Sequence, residues 1–451
     1  MSAQSMVRST RPTVAAMAAV VTLLGVTQPL QAQSLRVDAA PAHPYLPAGE
    51  KSTTYVKVGL TGERLDAVRQ RPPVNIAIVL DKSGSMQGEK IRRAKDAALA
   101  SLDRLGPNDI VSVLAYDDTV DVLVPATKLV DRSAVRAAIE RLAAGGSTAL
   151  FAGVTRGAAE LRKFLDRQRV NRLLLLSDGQ ANIGPSSPTD LGEMGASLIK
   201  EGISVTTFGL GLGYNEDLMT QLARRSDGNH YFIEHATDLA RRFDYEFDDV
   251  LSVAAQEVTV RINVADGVRP VRVLGREADI TGQTVTTYLN QVYGDQEKYV
   301  LLEVEVPASR AGSDRLLAKA DVSFVDMRTR TAARATRQVS IRFTETPGLV
   351  DARANRVIMA SVVEQIAVER NKAAVELRDQ GRIEEARRAL LANAAYLRES
   401  ARRYESKALA EYVAKNEQDA SRLEGEAWTQ QRKAILDEQN IRQTQQAPRE
   451  R

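Results

Sequence analysis

The sequence predicts an α/β fold, a doubly wound and mainly parallel sheet, joined to a β-sandwich and a C-terminal α-helical tail. Between residues 74 and 250, short apolar runs alternate with amphipathic stretches at helical spacing, the pattern of strands buried on both faces by crossover helices. From 256 to 343 apolar and polar residues alternate one by one, as in antiparallel strands with one wet face. Beyond Pro347-Gly348 the chain turns rich in alanine, arginine and glutamate, with apolar residues at helical spacing.

Taken in order, residues 1–32 read as an export signal: Arg8 and Arg11 precede a mostly apolar stretch from 14 to 26, and Ala32 offers a cleavage point before Gln33. That stretch is shorter than the ~20 residues of a membrane-spanning helix, so the mature chain is expected to carry none. The expected location is periplasmic, secreted or cell-surface; the alternative is an N-terminal anchor in the inner membrane facing the periplasm. Residues 33–72 hold a strand signal around Tyr55, Val56 and Val58, which is expected to join the later sandwich, and Pro72-Pro73 closes this segment.

The α/β domain is expected over 73–250. Its strands are predicted at 74–80, 110–115, 170–176 and 203–208, with shorter ones at 120–124 and 230–233. Helices are predicted at 90–105, 132–142, 150–165, 189–200 and 217–225. The sandwich is expected over 255–345, from Val258, Val260 and Ile262; Val300, Leu302 and Val304; Ala318, Ala320 and Val322; and Val339 and Ile341. A helical hairpin or bundle is expected over 350–440, turning at Gly381, and disorder over 441–451.

Bulk properties narrow the function. The 451 residues carry 61 basic and 58 acidic side chains, a formal charge of +3 that falls to +1 when residues 1–32, with Arg8 and Arg11, are removed. So balanced a chain lacks the one-sign field that nucleic acid requires, and nucleic acid is excluded as a partner. The absence of cysteine excludes disulfides, thiolate metal sites and a cysteine nucleophile.

The chemistry concentrates where predicted strands end. Asp81-Lys82-Ser83-Gly84-Ser85 follows the first buried run and sets one carboxylate and two hydroxyls at alternate positions. Gly145-Gly146-Ser147-Thr148 opens a helix, and Leu176-Ser177-Asp178-Gly179 ends another buried run. Three loops therefore offer Asp81, Ser83, Ser85, Thr148 and Asp178, all hard oxygen ligands of the kind Mg²⁺, Mn²⁺ and Ca²⁺ prefer. In an open α/β sheet a ligand is expected beyond the carboxyl ends of the strands. Serine and aspartate also cap helices and shape turns, which is the bland reading of the same residues.

This set resembles the von Willebrand factor type A domain with its metal-ion-dependent adhesion site, whose pattern is Asp-x-Ser-x-Ser, then a threonine, then a strand-end aspartate. All five positions match in order. The exported type with a neighbouring sandwich is similar to inter-alpha-trypsin-inhibitor heavy chains and bacterial relatives. The resemblance implies that Ser83, Ser85 and Thr148 bind the ion directly, that Asp81 and Asp178 act largely through water, and that a carboxylate of a protein partner completes the coordination sphere.

The function expected is thus an exported, metal-dependent binding protein without catalysis of its own, an adhesion or assembly scaffold whose helical tail offers a second protein interface. The alternatives are an accessory subunit of an enzyme or chelatase-like ATPase complex, or a metal-dependent hydrolase. No His-Glu-x-x-His, Gly-x-Ser-x-Gly or phosphate-binding Lys-Ser/Thr motif supports them. Gly209-Leu210-Gly211-Leu212-Gly213 lacks dinucleotide spacing and reads as a loop on the metal-bearing edge, with Tyr214, Asn215 and Glu216 as residues rimming the ion.

Overall fold

The computed structural model describes residues 33–64, 71–425 and 427–446; the expected export signal and residues 447–451 lie outside them. The chain begins with β1 (Leu35–Pro41), β2 (Tyr45–Pro47) and β3 (Ser52–Gly62). The α/β domain follows as β4 (Val74–Asp81), α1 (Glu89–Asp103), β5 (Ile110–Tyr116), β6 (Val120–Lys128), α2 (Arg132–Glu140) and α3 (Leu150–Arg162). It continues with β7 (Val170–Ser177), α4 (Pro188–Lys200), β8 (Ile203–Leu210), α5 (Glu216–Arg225), β9 (His230–Ile233) and α6 (Leu239–Leu251).

Its sheet has the order β6-β5-β4-β7-β8-β9. All pairings are parallel except β5 with β6, where a short return replaces a crossover helix. Every residue of β4, β5, β7 and β8 is buried, which explains their near-continuous apolar runs. Ile76, Ile78 and Val113 face α1, α2 and α6; Ala77, Val79, Leu173 and Leu175 face α3, α4 and α5. From β4 the chain builds outward to β5 and β6, then returns to place β7 on the other side of β4. The switch point therefore lies between β4 and β7.

The sandwich is completed by β10 (Val253–Val264), β11 (Arg269–Leu274), β12 (Asp279–Thr281), β13 (Thr284–Tyr293), β14 (Glu297–Val306), β15 (Asp314–Asp326) and β16 (Thr331–Thr344). Its sheets run β1-β3-β14-β11 and β12-β13-β10-β15-β16-β2, and Val56, Val58, Val260, Ile262, Leu302 and Val322 fill the space between them. Strand β3, containing Tyr55, pairs with β14 over ten residue pairs from Glu297↔Thr61 to Val306↔Ser52. The α/β domain is thus spliced between β3 of one sheet and β10 of the other.

The two parts share a polar seam below the parallel sheet. Fully buried Arg172 on β7 donates to Gln291 Oε1 at 2.6 Å and to the Tyr293 hydroxyl, and lies 3.5 Å from Glu246 of α6. Asp227, just after α5, lies 3.1 Å from Lys298 and 3.2 Å from Arg276.

The tail comprises α7 (Leu349–Ala352), α8 (Arg356–Asp379), α9 (Ile383–Arg403), α10 (Lys407–Ser421) and α11 (Ala427–Gln443). Helix α8 rests on the sandwich through Ile358, Met359 and Val362 against Leu274, Tyr299 and Leu301. Trp428 of α11 packs among Ala374, Leu390 and Leu423. The disorder expected from 441 does not hold over 441–446: α11 runs to Gln443, the Tyr299 N–H donates to the Gln445 carbonyl at 3.1 Å, and Gln446 bridges to Lys298. Glutamine-rich composition reads as unfolded, yet these backbones pair with groups of β14. No described helix is long and apolar enough to cross a membrane.

Candidate metal centre

The switch point gathers the five oxygen-bearing residues. Asp81, the last residue of β4, is fully buried; its Oδ1 accepts the Ser83 N–H at 2.8 Å, which bends the chain back immediately after the strand. Its Oδ2 accepts the Ser177 hydroxyl at 2.7 Å. The Ser83 and Ser85 hydroxyls lie 3.0 Å apart, and the Ser85 hydroxyl donates to Asp178 Oδ1 at 2.6 Å. Ser85 is exposed while Ser83, Thr148 and Asp178 are buried.

Thr148 arrives on a loop braced from both sides. The Gly84 N–H donates to the Gly146 carbonyl at 2.9 Å, and the Gly145 N–H to the Lys82 carbonyl at 2.7 Å. Asp118 Oδ1 accepts the Ser147 N–H at 2.8 Å, and Asn182 Oδ1 accepts the Thr148 N–H at 2.8 Å. Gly146 has φ +80°, and a Cβ there would fall 2.9 Å from the Asp117 Cβ, so this close approach requires glycine. Asp117 pairs with Lys82, and the Asp117-Asp118 turn, with Asp118 exposed, braces the threonine loop through the Ser147 N–H.

The chemistry of the donor set fits a hard divalent cation: three hydroxyls and two carboxylates, with no nitrogen or sulfur. Gly179 forms the cradle beneath them. A Cβ at that position would stand 3.1 Å from Thr148 Oγ1 and 3.5 Å from Ser85 Oγ, so a side chain would fill the space where the two loops converge. Burial raises the pKa of the Asp81 carboxyl; hydrogen bonds from Ser83 and Ser177 oppose the rise, and the nearby negative charge of Asp178 adds to it. The Asp81 carboxylate therefore favours a neighbouring positive charge.

Asp178 already has one. Lys90, in the first turn of α1, donates its ammonium to Asp178 Oδ2, with the lysine side chain 35% exposed and the aspartate fully buried. Lys90, Ser177 and Asn182 escape a reading by motif. Ser177 had the clearest signal, a hydroxyl beside Asp178 at a strand end. Lys90 carries only the signal of a cation on the helix that follows Asp81.

The glycine-rich loop after β8 does border the site: a Cβ at Gly213 would lie 2.9 Å from the Asp178 carbonyl, and Gln180 Nε2 donates to the Gly213 carbonyl at 2.6 Å. Tyr214 and Glu216 do not rim the ion. Tyr214 is buried under Gly209, its carbonyl accepts from Lys433 Nζ at 2.7 Å, and Glu216 pairs with Lys433 and Arg432 of α11. Asn215 caps α5 by accepting the Leu218 N–H. Buried His230 hydrogen-bonds Thr207 at 2.8 Å and Tyr214 at 3.3 Å, a packing role within the domain.

A six-stranded sheet of this order, helices on both faces and an oxygen-lined switch point together define a von Willebrand factor type A domain. Residues 75–244 match the family model of that description, and the segment is such a domain. An uncharacterised protein of Synechocystis sp. is 29% identical over 245 residues, covering 52% of this chain and 58% of that protein. Inter-alpha-trypsin inhibitor heavy chain H3 of Rattus norvegicus is 28% identical over 187 residues, 40% of this chain and 21% of its own. The matches thus span less than two thirds of either relative. In three dimensions the von Willebrand factor type A protein from Catenulispora acidiphila resembles this chain with a TM-score of 0.68 at 18% identity, covering 85% of this chain and 89% of that one, a likeness of fold.

Proposed function

We propose that this chain is an exported, metal-dependent protein-binding scaffold without catalysis of its own. Asp81, Ser83, Ser85, Thr148 and Asp178 hold one divalent cation, Mg²⁺ or else Mn²⁺ or Ca²⁺, and a carboxylate of a protein partner completes its coordination. The observation that carries this reading is the convergence of those five side chains, from three loops, at the switch point of the sheet.

Each residue has a distinct part. The three hydroxyls are neutral ligands and leave most of the ion's charge unquenched, so the bound ion supplies a strong attraction for an incoming carboxylate. Asp81 orients Ser83 through its backbone N–H, Asp178 orients Ser85 through its hydroxyl, and Ser177 secures Asp81. Lys90, which now holds Asp178 Oδ2, would have to give up that contact for Asp178 to serve a bound cation. Exposed Ser85 lies on the side from which a partner approaches.

The test is magnesium titration by calorimetry on the chain from residue 33, followed by affinity capture from envelope extract with and without chelator. Saturable binding to the unaltered chain, weakened at least tenfold in Asp81→Ala with loss of the chelator-sensitive partners, supports the reading. Equal magnesium uptake by both proteins, or identical partners under all conditions, defeats it.

A further inference from the structure

A second candidate site, built from none of the five oxygen-bearing residues, lies where α5 of the α/β domain meets α8 and α11 of the tail. Here the helices leave a cavity of about 230 Å³, smaller than the ~300–1,000 Å³ of drug-sized pockets. Arg224 of α5 and Lys372 of α8 both line it. Neither has a carboxylate within salt-bridge distance among the described residues. Arg224 donates to the Gln221 amide at 2.9 Å and Lys372 to the Gln443 amide at 2.6 Å, so their hydrogen-bond partners are neutral. Glu277 acts on Arg224, and Glu369 and Glu376 on Lys372, only from longer range. Of the three lining acids, Asp217 and Asp379 are both bound by Arg432, and Glu376 is exposed.

Independent evidence comes from Gln439 of α11, which lines the same cavity. It is only 2% exposed, yet both its amide oxygen and its amide nitrogen lack a partner. The Thr220 hydroxyl, also lining the cavity, is buried without a partner. Native interiors rarely leave so many polar atoms unsatisfied in one place, because each forfeits its hydration for nothing.

We propose that this cavity binds a small polyvalent oxyanion, a phosphate or a compact di- or tricarboxylate, between Arg224, Lys372 and the Gln439 amide. The anion pairs the two cations, accepts from the Gln439 amide and the Thr220 hydroxyl, and fastens the tail to the α/β domain. Burial lowers the pKa of both cations; that of Lys372 falls to about 8, with the charge of Arg224 as the second cause. An anion between them offsets the repulsion that Arg224 exerts on Lys372.

Calorimetric titration of the chain from residue 33, in Hepes at constant ionic strength, uses inorganic phosphate and citrate as separate probes. One saturable site for either probe is expected, and the probe that binds assigns the phosphate or the carboxylate source. Arg224→Gln and Lys372→Gln should each weaken it at least tenfold, whereas Arg402→Gln, an exposed cation on α9, leaves it unchanged. Because the charge variants risk disturbing the fold, Gln439→Leu provides a second arm: it removes the orphaned amide, so the thermal midpoint without ligand should not fall while anion binding weakens tenfold. Absence of saturable binding by both probes, or equal binding in the folded Gln439→Leu protein, overturns the proposal.

Discussion

The two edges of the α/β sheet bury carboxylates in opposite ways. At the lower edge, Asp227 faces Lys298 and Arg276, and Glu246 faces Arg172. Burial pushes the Asp227 carboxyl upward, but the two cations and the Asn290 N–H outweigh it and hold its pKa below the ordinary value. At the upper edge, Asp81 has only hydroxyls and one backbone N–H for company, and its pKa rises. At the lower edge each of these acids faces a cation of the chain; at the upper edge Asp178 has Lys90, whereas Asp81 has none. A buried acid is therefore informative about function chiefly through what surrounds it.

The comparison breaks most readily at the lower edge. Asp227→Ala strands two buried cations and should cost about 3–5 kcal/mol, read as a lower urea midpoint. The same measurement across pH extends the contrast to Asp437 of α11, which burial raises from 3.8 to about 7 despite the hydrogen bond from the Phe232 N–H; Arg242 opposes the rise and Glu438 adds to it. The folded chain binds this proton more tightly than the unfolded one, so the contribution of Asp437 to stability falls as pH rises from about 4 to 7. Asp437→Asn should remove that component, a few kcal/mol, from the difference between urea midpoints at pH 5 and pH 8.

At the upper edge the expected effects are on binding. Asp81→Ala should weaken magnesium about 10–100-fold, the usual loss for a group that orients ligands. Its cost to the metal-free fold should be about 1–2 kcal/mol, well below that of Asp227→Ala, because only hydrogen bonds are lost. Lys90→Met sharpens the contrast with the smallest change. Removing the partly exposed ammonium should tighten magnesium about two- to fivefold in the same titration, since partly solvated ion pairs contribute about 1 kcal/mol or less.

Much of this was legible in the sequence where physics is local. Parallel strands buried on both faces leave apolar runs that cannot be mistaken for surface, and Asp81, Ser83 and Ser85 are spaced by the turn they form. The strand β13 was harder to see because Thr284, Thr286 and Thr287 blunt its alternation, and β11 carries Pro270. Long-range pairs left no trace: Glu216 reads as a loop acid beside the ion, but its cation, Lys433, lies 217 residues further on. Lys90 and Asn182 likewise act only through neighbours that the fold supplies.

The splice between β3 and β10 also has a mechanical consequence. Traction on the upper rim would leave the α/β domain through two strands seated in opposite sheets, each flanked on both sides, β3 by β1 and β14 and β10 by β13 and β15. Extraction of either anchor must shear two hydrogen-bonded ladders together rather than peel one from an exposed margin. A tether so arranged divides tension between both sheets of the sandwich.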